Sequence, residues 1–146
     1  MAETAVFIGI HGLTVEALRC ALLCYLMVLA GVADIATREI PDALHLLIAM
    51  AGLIGFQPVP ALLGVLAVPL PFLTVALKNG KVGGGDVKLM AASGFALGVA
   101  GGFWMLFWGL LMALLWGSSI ARDREGSLPL APFLAFGGFV ALLPLS

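Results

Sequence analysis

Long apolar runs, broken by three short charged loops, leave this chain few ways to fold. From Ala21 to Ala33 no charged or amide side chain interrupts the sequence. The charged loops are residues 34–42, 78–88 and 121–127, with further apolar stretches between and beyond them. About 20 apolar residues suffice to cross a hydrocarbon layer as a helix. A backbone in lipid must also satisfy its own hydrogen bonds, which favours helices. Composition agrees, because 62% of the 146 residues are hydrophobic and 10% are charged, whereas a soluble domain is nearer half apolar and a quarter charged. The expected fold is all-α, a polytopic membrane protein with six transmembrane helices. The spans are expected near residues 14–36, 42–56, 61–77, 86–100, 103–120 and 128–145, within a single membrane-embedded domain covering 1–146.

Local signals refine this outline. Residues 1–13 read as an interfacial tail or as the first turns of the next helix. Glu3 stands where a signal peptide would carry a basic cluster, so no signal peptide is expected. Pro41 disfavours helix at Ile40 and suits the start of a new helix, with Asp42 in its first turn. Gln57-Pro58-Val59-Pro60 reads as a turn, Pro69 and Pro71 as a kink, and Gly101-Gly102 as another turn. Ser93, Gly94 and Gly98 are small enough to let helices approach closely. The second and fourth spans are short, and would begin deep beside a water-filled cavity. Cys20 and Cys24 share one helix face and read as small buried hydrophobes. No metal or cofactor site is expected, and nothing suggests nucleic acid as a partner.

Charge gives the topology. With six spans, the three charged loops fall on one side, and they hold Arg38, Lys78, Lys81, Lys88, Arg122 and Arg124. The other side has only Arg19 among basic residues. The positive-inside rule then puts the charged loops in the cytoplasm and both termini outside. It also puts Asp34 and Asp86, 52 positions apart, on the same membrane face.

An acid at the end of an apolar helix is costly enough to suggest a function. Two at one depth can meet, and if they do they cannot both ionise cheaply. Such a dyad can activate a water and protonate a carbonyl oxygen or leaving amine, which is aspartyl-protease chemistry. Gly83, Gly84 and Gly85 precede Asp86 and would let an extended peptide backbone lie beside it. Lys88, two residues beyond the acid, would either tune it or extend towards the interface. His45 reads as a packing or interfacial residue. No cysteine–histidine or serine–histidine arrangement competes, and the glycine run lacks the Gly-Lys-Ser/Thr ending of a P-loop. The plain alternative makes each acid a helix-end residue, with Asp86 as a cap. A different functional class is also consistent with paired acids: a non-catalytic small membrane subunit, or a transporter that couples to protons or cations.

The segment Gly83-Gly84-Gly85-Asp86-Val87-Lys88-Leu89 resembles the Gly-x-Gly-Asp-x-Lys-Leu motif of type IV prepilin peptidases. Asp34, followed by Arg38 and Ile40-Pro41-Asp42, resembles that family's first-aspartate motif. Leu128-Pro129-Leu130-Ala131-Pro132-Phe133 is similar to its Pro-x-x-Pro-aromatic segment. The resemblance implies a bacterial inner-membrane aspartic endopeptidase that removes the basic leader of prepilins or pseudopilins at the cytoplasmic face. Asp34 and Asp86 would be the catalytic pair, with Gly83, Gly84, Gly85, Lys88, Arg38, Pro41 and Asp42 supporting or binding substrate. Membrane lipid is an expected partner, and the oligomeric state stays open, homo-oligomer included. Larger members carry paired C-x-x-C motifs in a methyltransferase domain. This sequence has no such motif, so peptidase activity alone is expected, as in the small Flp/Tad-type branch. Asp42 departs from the Asn of many small members and adds a third carboxylate. Presenilin-type proteases share Gly-x-Gly-Asp, but their first aspartate follows Tyr, whereas Ala33 precedes Asp34 here.

Overall fold

The computed structural model describes residues 2–79, 83–120 and 129–143. Every regular element among them is a helix: α1 Ala2–Thr37, α2 Asp42–Gly52, α3 Pro58–Ala67, α4 Leu70–Asn79, α5 Gly84–Ile120 and α6 Ala131–Leu142. Lys81 and the loop bearing Arg122 and Arg124 lie outside the described residues.

By length and composition, Thr14–Thr37 and Gly84–Trp116 are apolar enough to cross a membrane, although the second is broken into two arms at Gly98. The others are shorter. At 1.5 Å per residue, the 11 residues of α2 reach only about 16 Å, well short of a hydrocarbon layer about 30 Å thick. The exterior is nonetheless apolar on many sides. Leu18, Val28, Ile35, Leu62, Leu66 and Leu114 are all exposed. A soluble monomer rarely shows so much apolar surface, and a lipid solvent makes it ordinary, so these helices fit a membrane protein.

Several boundaries differ from the sequence-based expectation. The N-terminal residues continue α1 rather than forming a tail. Pro58 and Pro60 are not a turn but lie within the first turn of α3, where Gln57 is the N-cap and a proline has no lost hydrogen bond to regret. The expected kink at Pro69 and Pro71 separates α3 from α4. The expected turn at Gly101-Gly102 is instead at Gly98, whose φ of 71° and ψ of −175° interrupt α5. Glycine takes that conformation without the Cβ clash other residues meet. A Cβ built on Gly94 would lie 3.0 Å from Val68 Cβ, and one on Gly102 would lie 3.3 Å from the same atom. Residues eight apart in a straight helix are separated by about 12 Å. The chain therefore folds back at Gly98, and both arms of α5, residues 84–97 and 99–120, pack against the joint between α3 and α4.

The core is built on this hairpin. Leu23 and Met27 of α1, Ile48 of α2, Met90 and Met105 of the two α5 arms and Leu134 of α6 are fully buried. Small residues allow the close approach. Gly64 abuts the Gly94 carbonyl, and Gly137 abuts the Met105 carbonyl. Cys20 and Cys24 are free thiols packed against the same core.

The hairpin also defines two ends. At one, the Arg19 guanidinium donates to the Ala96 carbonyl, just before Gly98, and pairs with Glu16 at 3.1 Å. At the other, α1 ends at Thr37 and α5 begins at Gly84. Arg19 and Asp34 are fifteen positions apart on α1, about 22 Å of helix.

Candidate active site

The end of α1 is turned by an unexpected residue. Arg38 takes a positive φ of 56°, and its amide donates to the Asp34 carbonyl at 2.9 Å. This is the left-handed stop that usually calls for glycine. Thr37 Oγ1 lies 2.9 Å from the carbonyls of both Ala33 and Glu39, either of which can accept its one proton, and holds the reversal. The buried Ile40 then anchors the loop in the core. Pro41, at the N-cap, launches α2 with its carbonyl accepting from Leu44 N at 2.9 Å.

Asp34 lies in the last turn of α1 and is 8% exposed. Its Oδ2 accepts the Ala131 amide at 3.1 Å. Ala131 opens α6, and the N-cap residue there, Leu130, has no side chain able to serve the free amides. A carboxylate 97 positions away does so instead, in the place where a helix N-terminus favours negative charge.

Asp86 is half-buried in the first turn of α5. Its amide donates to the Gly83 carbonyl at 3.1 Å, and Val87 N approaches the same carbonyl at 3.4 Å. Around this turn the glycines leave space. A Cβ on Gly84 would meet nothing within 4 Å, one on Gly85 would meet only Ile40 at 3.8 Å or more, and one on Gly83 would sit 3.5 Å from Asp86 Oδ2. A side chain at Gly83 would therefore reach ordinary contact with the carboxylate.

Asp34 and Asp86 line one cavity of about 650 Å³. The same cavity is lined by Arg38, Pro41, Asp42, Gly83, Gly84, Gly85 and Lys88. The structure thus brings together all nine residues singled out by sequence, and adds Thr37, Glu39 and Ile40. Lys88 makes an unforeseen contact. Its Nζ donates to Asp42 Oδ1 at 2.7 Å rather than to Asp86. Asp42 is exposed at the first residue of α2, and its carboxylate pairs with the Lys88 ammonium. The third carboxylate is thereby committed to a cation. Sequence reasoning also missed His45. It is buried, and its Nε2 lies 3.1 Å from the Gly85 carbonyl. The available signal was the three-residue spacing from Asp42, which puts both side chains on one face of α2.

The type IV leader peptidase family matches residues 21–118, about two thirds of the chain and all nine of these positions. The chain belongs to this family. It is similar to the prepilin leader peptidase/N-methyltransferase of Xanthomonas campestris pv. campestris, at 32% identity over 80% of this chain and 46% of that protein. It is also similar to the Bacillus subtilis protein of the same name, at 33% identity over 90% of this chain and 58% of that protein. The chain spans about half the length of these curated relatives. No solved structure matches it significantly.

Proposed function

We propose that this family member is a membrane aspartic endopeptidase that removes the leader peptide from type IV prepilin-like precursors. The observation that carries the reading is the meeting of Asp34 and Asp86 in one cavity, beside an open glycine backbone. In the reaction, one carboxylate of the pair is ionised and the other protonated, because two close acids cannot both ionise cheaply. The ionised member takes a proton from a water as the water oxygen attacks the scissile carbonyl carbon. The protonated member gives its proton to the carbonyl oxygen. When the tetrahedral intermediate collapses, the C–N bond breaks, the leaving amine takes the proton from the first carboxyl, and a hydroxyl of the intermediate returns its proton to the second, so that the pair again holds one proton. Gly83 to Gly85 offer unobstructed backbone along which an extended substrate lies. Asp42 and Lys88 neutralise each other at the rim.

In this reading residues 1–146 form one membrane-embedded peptidase unit with six crossings, in a bacterial inner membrane. Arg38, Lys78 and Lys88 are on the pocket side and Arg19 on the far side, so the positive-inside rule turns the pocket to the cytoplasm and both termini away from it. The short helices are tolerated because their polar ends open into the cavity rather than into lipid. Both relatives carry two activities in their names, and the proposal for these 146 residues covers peptide cleavage alone.

The test is incubation of the purified chain, in detergent or vesicles, with a prepilin-type precursor. The expected product is a mature pilin whose new N-terminus, read by sequencing, lies at the end of the leader. Intact precursor, together with proton- or cation-coupled flux in vesicles, would replace the peptidase with a transporter.

A further inference from the structure

The glycine turn that carries Asp86 has a weakness. Three successive glycines bring no side chains to hold their own backbone in place, and a Cβ at Gly84 would have no neighbour within 4 Å. Glycine also has more conformational freedom to lose than any other residue. An acid that must meet its partner within a fraction of an ångström is poorly served by such a base unless something else restrains it.

His45 supplies a restraint from α2. Its ring is 8% exposed, and Nε2 lies 3.1 Å from the Gly85 carbonyl, the peptide unit that leads directly into Asp86. A carbonyl accepts only, so Nε2 carries the hydrogen and donates it. The lone pair of the neutral ring is then on Nδ1, which is buried and has no hydrogen-bond partner. Nδ1 lies 3.6 Å from Asp42 Oδ1. A lone pair facing a bare carboxylate would be repelled, but Lys88 Nζ sits 2.7 Å from that same oxygen and offsets its charge. Lys88 is two residues beyond Asp86 on α5. The contacts therefore close a ring, from His45 to Gly85, along α5 through Asp86 to Lys88, across to Asp42, and back along α2 to His45.

We propose that His45 is a positioning residue for Asp86, pinning the glycine turn to α2 by its Nε2–H bond to the Gly85 carbonyl, with the Asp42–Lys88 pair keeping the neutral ring tautomer tolerable. The inference deepens the peptidase reading and rests on it for its catalytic consequence, while the restraint itself can be measured without any substrate. His45 touches no reacting atom in this arrangement. Its effect reaches the chemistry through the backbone on which Asp86 stands.

The experiment uses the full chain as His45→Leu, which removes the donor, and His45→Gln, whose side-chain amide can place an N–H near the position of Nε2. Hydrogen–deuterium exchange at the Asp86 and Val87 amides is read alongside cleavage kinetics. The loss of one hydrogen bond corresponds to about tenfold in an opening equilibrium. His45→Leu should speed exchange at these amides by about that factor, and His45→Gln should restore most of the protection. For cleavage, His45→Leu should lower kcat by about 10- to 100-fold, the scale of a small misplacement of a catalytic group, with KM altered far less, and His45→Gln should recover kcat. Unchanged exchange in His45→Leu would overturn the proposal, as would an exchange defect that glutamine fails to repair, or full kcat despite a loosened turn. A wild-type chain that cleaves no precursor would sink the peptidase reading instead, and the exchange data would still decide whether His45 holds the turn.

Discussion

Two groups of glycines in this molecule do opposite work. Gly64, Gly94, Gly102 and Gly137 lie between helices, and a Cβ on any of them would run into backbone or into Val68. Their missing side chains remove distance between helices, which is how a bundle packs where lipid gives no hydrophobic drive for association. Gly83 and Gly84 are exposed, and a Cβ on Gly84 would meet nothing. Their missing side chains leave open space, bordered at Gly83 by the Asp86 carboxylate. The same residue type therefore serves the fold at one end of α5's first arm and the cavity at the other. Glycine content by itself cannot distinguish the two.

The largest expected stability effect is at the packing glycines. Gly64→Ala and Gly137→Ala each insert a methyl against backbone that cannot swing aside, and each should cost about 1–3 kcal/mol, read as a lower midpoint of denaturant unfolding in detergent. Gly98→Ala comes next. It forces φ 71° and ψ −175°, a region essentially reserved for glycine, on a residue with a Cβ, at about 1–3 kcal/mol, and brings that atom to 3.2 Å from Pro60. The smallest is Gly84→Ala, which should shift stability by less than about 1 kcal/mol and in the stabilising direction, since alanine loses less backbone entropy in a helix. Gly84→Ala should nevertheless raise KM for a prepilin peptide severalfold. A large loss of stability in Gly84→Ala, or none in Gly64→Ala, would break the distinction between the two groups.

Much of the architecture was legible because proline and charge are strong signals in so apolar a chain. Pro69 and Pro71 mark the joint between α3 and α4, and the charged loop residues Asp34, Arg38, Glu39, Asp42, Asp86 and Lys88 line the pocket. Subtler outcomes depend on contacts remote in sequence. Gly101-Gly102 reads as the turn in sequence, but Gly102 stays helical, packed against Val68, and the break falls at Gly98. Arg38 gives no sign of its positive φ, because a left-handed stop ordinarily shows as glycine. At the site, the nine residues singled out by sequence share a cavity because few polar groups exist to line one. The partners of those residues were hidden. Lys88 bonds to Asp42, His45 to Gly85 and Asp34 to the Ala131 amide, across separations of 46, 40 and 97 positions, where no local spacing rule applies.

The central claim is that Asp34 and Asp86 act as one catalytic pair. Asparagine is the informative substitution. Its side-chain oxygen can still accept the Ala131 amide at position 34, so the start of α6 keeps its partner, while the ionisable group is lost. Cleavage of a prepilin-type precursor by purified Asp34→Asn and Asp86→Asn, each compared with the wild-type chain at matched unfolding midpoints, tests the claim most directly. The account predicts that each single variant loses at least about 10²- to 10⁴-fold in kcat, and that the double variant is scarcely worse than either. Near-normal cleavage by either single variant would contradict it.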